Sequence, residues 1–553
     1  MQKGRVIFIF LAGLVLVNMV QCCFTELLHD EAYYWLWSKD LAWGYFDHPP
    51  MVALFIRLGD VMMHNELGVR LLFILANAAT VYLLYHIIKP AHLQLFYGLL
   101  LSITPLLALG FFAVPDIPLL FFAACFFVVY KKYLDEDTAL TAILLGMCMA
   151  SMLYSKYHGV LTIFFVLLSN PQLLRRKTFY LASVTGAILF APHLWWQWQN
   201  DFPTFRFHLF ERSREVYSWM RTSEYLGGQL LLAGIPAGLL LLYAAARHKA
   251  RNKFQRAMQF QLWGTYLFFL VSSFKGRTEA NWTIVNVIPL AVLSYRYLEA
   301  NAKPARWLLF LLPVSVLSIV ALRVHYGTPF TKECLGIQSE TQHWKEWADS
   351  IEVHAGNRPV VFLSSYQKAS KYTFYTGKTA FSTTEVQMRR SQYNLLNIED
   401  DIQNKEVYVC TYWGFIPDGA KRRDKLITRA TNFDGFVVDS FISWYKLLIT
   451  PLERSYSVTG GAEIEIPVNV VSPYINHPLP NERSRLTYRI YEGKTKLGDY
   501  ETDNLLEPVL ATGRASVKVK PPVKPGHYQI FISPTQDNFP PPINSPAIEV
   551  LVK

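Results

Sequence analysis

Charged residues are spread very unevenly along the chain. Charge-free runs occupy 6–25, 71–88, 90–115, 117–130, 138–155, 157–174, 178–200, 225–246, 257–274, 280–295 and 307–322, and nothing comparable follows Arg323. A helix needs roughly 20 apolar residues to cross a bilayer. The pattern therefore predicts eleven transmembrane helices, several of them short. The shortest, 117–130, begins beside Asp116, which puts that carboxylate at or just below the membrane surface. The first run has a basic start, Lys3 and Arg5. Its end, Met19-Val20-Gln21-Cys22-Cys23-Phe24, lacks a small-x-small cleavage site, so it reads as a retained helix and not a removed leader.

Beyond Arg323 the periodicity changes. Residues 330–446 mix strand-like runs (358–364 and 406–410) with a helix-like run from Gln367 to Tyr375 that Gly377 stops. This predicts a small α/β domain. Residues 452–553 alternate polar and apolar positions at 462–466, 486–490, 515–519, 528–532 and 547–551, broken by turns, which predicts a β-sandwich. The expected organisation is a transmembrane domain over 1–325, an α/β domain over 326–448 and a sandwich over 449–553.

Composition agrees with a polytopic membrane protein. The chain has 553 residues, 52% of them hydrophobic and 17% charged, where soluble domains carry about 25% charged residues. Six cysteines are too few for a disulfide scaffold. Cys334 and Cys410, the tail's two cysteines, could pair if the tail lies in an oxidising compartment; spacing alone gives no geometry. The net charge of +11 comes largely from Lys131-Lys132, 175–177, 247–256 and 296–306. With the N-terminus inside and eleven spans, all four clusters face the cytoplasm, as the positive-inside rule requires. Nucleic acid, which wants cations clustered on a soluble face, is not the expected partner. The acidic loop 25–66, the edges at Asp116, 156–158 and 275–281, the loop 197–224 and the whole tail then lie outside.

The candidate chemistry sits in these outer segments. His29-Asp30-Glu31-Ala32-Tyr33-Tyr34-Trp35 follows the first span directly. Such an acidic pair is either a solvated helix N-terminus or one kept for function, because carboxylates near a bilayer are costly to desolvate. The same loop continues Trp43-Gly44-Tyr45-Phe46-Asp47-His48-Pro49-Pro50, where the prolines fix the backbone, make the preceding residue extended and so would present Asp47 and His48 rigidly. A carboxylate beside an imidazole suits a divalent cation or a phosphate, or simply a structured turn. Val114-Pro115-Asp116-Ile117-Pro118, Lys156-Tyr157-His158 and Lys275-Gly276-Arg277-Thr278-Glu279-Ala280-Asn281-Trp282 complete the set. Lys156 and Arg277 could clamp a phosphate or snorkel to the headgroups; their shared sidedness favours a common site.

The motifs at 30–35 and 44–50 resemble the first outer loop of bacterial family 39 glycosyltransferases, relatives of the protein O-mannosyltransferases and of the lipid A aminoarabinose transferase. Pro115-Asp116-Ile117-Pro118-Leu119-Leu120, Ser155-Lys156-Tyr157-His158-Gly159, Pro192-His193-Leu194-Trp195-Trp196-Gln197-Trp198 and Glu279-Ala280-Asn281-Trp282 are similar to later motifs, so the resemblance covers about residues 20–300. It implies a GT-C fold, a polytopic helical membrane protein with a C-terminal extracytoplasmic α/β and β-sandwich region. It implies an inner-membrane enzyme moving a sugar from a polyprenyl phosphate, usually undecaprenyl phosphate, to a lipid, surface glycan or protein on the outer face. By analogy Asp30 is the base, with Glu31 and Asp116 as further catalytic carboxylates. Lys156, Arg277, His48 and His158 would bind the donor phosphate, and Tyr33, Tyr34, Glu279 and Asn281 the sugar or acceptor. Asp47 and His48 would hold a divalent metal (Mg, Mn or Zn). Some relatives carry lysine where His48 stands, which shifts that position toward metal ligation. A lipid-linked sugar flippase is the alternative; it would want charges at mid-membrane and paired repeats, and neither is seen in the sequence. An oligosaccharyltransferase would carry Trp-Trp-Asp where Trp195-Trp196-Gln197 stands.

Overall fold

The computed structural model describes residues 2–208, 217–386, 388–412, 414–417, 420–474, 484–493, 495–536 and 539–553. The stretch 209–216 of the outer loop and the side chain of Lys3 lie outside the described residues. The chain forms two compact units, Met1–Gln342 and His343–Lys553.

The first unit is helical. Its elements are α1 (Gln2–Cys22), α2 (His29–Ser38), α3 (Met51–Asp60), α4 (Glu66–Ile88), α5 (Leu93–Leu100), α6 (Thr104–Ala108), α7 (Asp116–Asp135), α8 (Ala139–Ser155), α9 (Gly159–Ser169), α10 (Lys177–Gln199), α11 (Pro203–Arg206), α12 (Trp219–Ala233), α13 (Gly238–Arg247), α14 (Lys253–Ser272), α15 (Val287–Ala300), α16 (Ala302–Gly327) and α17 (Phe330–Leu335). Each charge-free run falls on helix, but not each on one helix. Among the described residues, α1, α4, α7 and α16 alone are long and apolar enough to cross a membrane individually.

Four runs are broken, one of them 157–174, where α9 gives way to a 3-10 turn over Pro171–Arg175. Run 90–115 becomes α5 and α6, with Pro105 opening the second. Run 225–246 becomes α12 and α13, bent by 87°. Gly234 at this bend has φ +139° and lies against the Ser102 carbonyl, so a side chain is excluded twice over. Run 280–295 opens with a 3-10 turn, Ala280–Asn286, before α15. The core packs α4, α7, α8 and α15 around Phe96, Leu99, Phe127, Tyr130 and Tyr295. Helices α8 and α10 approach closely where Gly146 meets the backbone of Ala182; a Cβ there would stand 2.4 Å from that carbonyl oxygen.

The second unit begins with α18 (Trp344–Ala355), β1 (Val360–Phe362), α19 (Tyr366–Thr376), β2 (Ala380–Ser382), α20 (Ile398–Ile402), β3 (Val407–Thr411), β4 (Lys421–Leu426) and β5 (Phe433–Val438). These strands form one sheet in the order β2-β1-β3-β5-β4, parallel across the first three and antiparallel beyond. Gly377, left-handed at φ +71°, ends α19. Then follow β6 (Leu448–Pro451), β7 (Ser455–Val458), β8 (Ile464–Val471), β9 (Arg485–Glu492), β10 (Thr495–Leu505), α21 (Leu506–Thr512), β11 (Arg514–Val519), β12 (Gly526–Pro534) and β13 (Ile548–Val552). They make two sheets, β10-β9-β12-β13-β7 and β11-β8-β6, closed over one apolar core of Ile466, Val468, Ile490, Val517, Ile530 and Val550. Cys334 and Cys410 are both free thiols, and Cys410 is fully buried within β3.

Candidate active site

The acidic pair divides at the start of α2. Glu31 occupies the third position of the helix, and its Oε2 accepts from the Leu28 backbone N–H at 2.8 Å, closing the first turn. Arg70, in the first turns of α4, donates Nε to Oε1 at 2.8 Å and Nη2 to Oε2 at 2.5 Å. The Ala113 backbone N–H adds a bond to Oε1 at 2.6 Å. Both side chains are wholly buried. Arg70 also donates to the carbonyls of Thr25 and Glu26 and lies over Phe111 and Phe112. Glu31 is thus saturated, tying α2 to α4 and to the segment before α7. Asp30, one residue earlier and rotated by about 100° on the helix, is exposed. Tyr33 and Tyr34 are buried and pack on Trp37, each at 4.8 Å between ring centres.

The far end of α2 is anchored by Asp60 of α3, which accepts from Trp35 Nε1 at 3.1 Å, Lys39 Nζ at 2.8 Å and pairs with His64 Nδ1 at 2.8 Å. Burial alone would raise the Asp60 carboxyl; the bonds from Lys39, Trp35 and His64 outweigh it and hold it below the ordinary value.

The Trp43–Pro50 turn is built on aromatic packing. The Tyr45 ring stacks on Trp37 at 4.8 Å, and its hydroxyl donates to the Trp37 carbonyl at 3.0 Å. Gly44 lies flat against Trp196 of α10, where a Cβ would stand 2.4 Å from the indole. Asp47 is buried, and His48 is half-buried with its ring 5.8 Å from Tyr34 and 6.4 Å from His208.

Three motifs distant in sequence converge on one carboxylate. Asp116 opens α7, and its Oδ1 accepts from Lys156 Nζ at 2.8 Å. Its Oδ2 accepts from Asn281 Nδ2 at 3.0 Å. Lys156 ends α8 in extended backbone, which turns its side chain back to α7. Asp116 and Lys156 are buried, and Asn281 is exposed, so the cluster opens to the surface on the Asn281 side. A buried, paired ammonium beside an oriented carboxylate can neutralise an incoming anion and direct a proton acceptor at once. His158, two residues on, packs between Phe269 at 5.2 Å and Trp282 at 5.1 Å. Arg277 is exposed and pairs with Glu279 at 3.1 Å, apart from the buried cluster.

Asp47 and His48 offer a cation two ligands. Among the described residues no three His, Cys, Asp or Glu side chains converge on a point a metal ion could occupy. Two such ligands would leave the rest of a divalent cation's coordination to solvent or a bound phosphate.

Arg70 carried no usable signal in the sequence, and His193 and Gln197 stood in the 192–198 motif without a role attached to them. Arg70 stands one residue before the charge-free run of α4 and reads as a flanking charge. His193 and Gln197 lie in an apolar helix, wholly buried, and bond to Trp43, Tyr157 and Thr204.

Comparison with known proteins adds three findings. Residues 47–196 match the family profile described as dolichyl-phosphate-mannose-protein mannosyltransferase. Lipid A galacturonosyltransferase RgtD of Rhizobium johnstonii is 24% identical over 308 residues, 52% of this chain and 61% of that protein, so the match spans less than two thirds of the relative. Crystal structures of ArnT from Cupriavidus metallidurans, apo and bound to undecaprenyl phosphate, superpose with a TM-score of 0.57 each at 15% and 14% identity, covering 79% of this chain and 98% of theirs. The chain shares the fold of these ArnT structures, a helical membrane region followed by C-terminal strands, and the three findings agree with the resemblance read from the sequence.

Proposed function

We propose that the chain is an integral-membrane glycosyltransferase that takes a sugar from a polyprenyl phosphate and places it on an acceptor at the outer face of a bacterial inner membrane. The proposed organisation is eleven spans over 1–325 with the N-terminus cytoplasmic, followed by outer domains over 326–448 and 449–553. The observation that carries the reading is the Asp116–Lys156–Asn281 cluster. It joins three motifs singled out for this chemistry. The resemblance to a lipid A galacturonosyltransferase and to a protein solved with undecaprenyl phosphate supports a lipid-phosphate donor and a lipid acceptor; a surface glycan or a protein would meet the same chemistry.

Glycosyl transfer passes through an oxocarbenium-like transition state while negative charge grows on the departing phosphate. Lys156 answers that charge, with His48, His158 and Arg277 as further donors. Asp30, exposed beside the buried Glu31, takes the proton from the acceptor. One displacement inverts the anomeric centre. Glu31 acts here by holding Asp30 in place, and Asp116 by orienting Lys156. Tyr33 and Tyr34 form the packed wall under α2, and Asn281 and Glu279 face the acceptor side.

The test is transfer by purified protein in nanodiscs, with radiolabelled undecaprenyl-phosphate sugars and a membrane extract as acceptor. Wild-type transfer abolished by Asp30→Asn supports the reading. Equal transfer by both removes Asp30 as base. No transfer, with labelled lipid crossing the bilayer, turns the assignment to a lipid-linked sugar flippase.

A further inference from the structure

A second buried network joins the residue after Lys156 to the first outer loop. The Tyr157 hydroxyl lies 2.7 Å from His193 Nε2 and accepts from Gln197 Nε2 at 3.0 Å. His193 Nδ1 lies 2.7 Å from the Trp43 carbonyl oxygen. Gln197 Nε2 also donates to Thr204 Oγ1 at 2.7 Å, and the Thr204 hydroxyl donates to the Tyr45 carbonyl at 3.1 Å. His193, Gln197 and Thr204 are wholly removed from solvent.

Each bond has a single sense. A carbonyl only accepts, so His193 carries its proton on Nδ1 and gives it to Trp43. The neutral ring then accepts at Nε2, so Tyr157 donates to it and offers a lone pair to Gln197. Both N–H groups of Gln197 are used, one on Tyr157 and one on Thr204. The chain of donors leaves no freedom to rotate one member without orphaning another. One end is covalently next to Lys156. The other end grips Trp43 and Tyr45, and Asp47 and His48 follow within three residues. Gly44, between the two gripped carbonyls, is pressed on Trp196 of the same helix α10.

We propose that Tyr157 and His193 are positioning residues that couple Lys156 to the Trp43–His48 turn, so that cation and turn meet the donor phosphate in one register. The inference rests on Lys156 being a phosphate ligand. Neither residue touches substrate; both act through the backbone they hold.

The experiment measures binding of undecaprenyl phosphate itself to the full chain in nanodiscs, together with the melting temperature. Tyr157→Phe removes one hydroxyl and keeps the ring. His193→Asn keeps an N–H where Nδ1 stood, toward Trp43, and loses the acceptor for Tyr157. Each is expected to weaken binding about tenfold, the size of one hydrogen bond, with melting within a few degrees of wild type. Because Tyr157→Phe already deletes the bond that His193→Asn loses, the double variant is expected to be no weaker than Tyr157→Phe alone. With a donor sugar present, KM for the donor rises and kcat holds within about threefold. Unchanged binding with a lowered melting temperature overturns the proposal, as do losses that multiply to about a hundredfold. Should His193→Asn fail to fold, Tyr157→Phe decides alone. Wild-type binding without any sugar transfer would sink the proposed enzyme and leave this coupling standing. No wild-type binding would remove the phosphate role of Lys156 and the coupling with it.

Discussion

Glu31 and Arg70 are a buried ion pair whose every oxygen is answered, by the guanidinium and by the N–H groups of Leu28 and Ala113. Such a pair adds little net stability against an apolar replacement, but removing one partner strands the other charge at about 3–5 kcal/mol. Glu31→Gln and Arg70→Met are each expected to lose that much by thermal unfolding in detergent. The double variant should lose less than the sum, because no charge is stranded; full additivity would show the pair to be independent. In the second unit Glu385 is buried and accepts from Thr383, and burial pushes its carboxyl up to about 7. A carboxyl raised when folded binds its proton more tightly in the native state. That contribution is complete below about pH 4.5 and is lost as pH rises to about 7, roughly 3 kcal/mol in all. Melting of wild type against Glu385→Gln at pH 5 and pH 8 checks it: wild type should fall behind as pH rises, and a constant gap would contradict the assignment. Asp116, Lys156 and Asn281 were legible in the sequence because polar groups at the mouths of apolar runs are few and expensive. The split between Asp30 and Glu31 was not, since adjacent residues on a helix face different surroundings and the partner, Arg70, comes from another element. His193 and Gln197 were legible as part of the 192–198 motif but not in what they do: a buried polar residue announces a partner without naming it.

Between elements, the distance of closest approach is set by small residues. Helices α8 and α10 touch at Gly146, where the first atom of any side chain would meet the Ala182 carbonyl. Gly146→Val should separate them and cost about 1–3 kcal/mol as overpacking. Since α8 ends in Lys156 and α10 carries His193, phosphate binding should weaken along with the melting temperature, and a variant that melts normally would show the contact to be slack. Charge-free runs translated directly into helices where nothing interrupts them, as in α1, α4, α7 and α16. They hid breaks wherever hydropathy is blind to backbone geometry: Pro105 restarts a helix inside one run, and Gly234 with Pro236 bends another by 87°. In the tail, strands with one buried face were readable from alternation. β10 was not, because Thr495–Leu505 is polar on both faces and is held by pairing with β9 rather than by burial.

For the whole molecule, hydrogen bonds constrain membrane topology. Asp116, Lys156 and Asn281 touch, so they share one depth and one side. In the eleven-span reading two crossings separate Asp116 from Lys156 and four separate Lys156 from Asn281, both even as required. The same parity governs Asn18 and Gln21 of α1, bonded to Arg323 at the end of α16 across ten crossings. The same bonds require an even number of crossings between Asn281 and Arg323, so the stretch from the basic cluster 247–256 to the tail holds its expected three crossings only if α14 crosses as well. Single-cysteine chains examine that stretch. Cys334 and Lys249 are both exposed, so a chain keeping only Cys334 and a cysteine-free chain bearing Lys249→Cys can each be labelled with a membrane-impermeant maleimide. Cys334 should react in intact spheroplasts, and Lys249→Cys only after permeabilisation, because an odd number of spans lies between them and basic loops stay inside. Reaction of both from the same side would mean an even number; because Asn281 and Arg323 are each bonded to outer-side residues, α14 and the bent pair α12–α13 would then both fail to cross, leaving the 87° bend as a re-entrant segment.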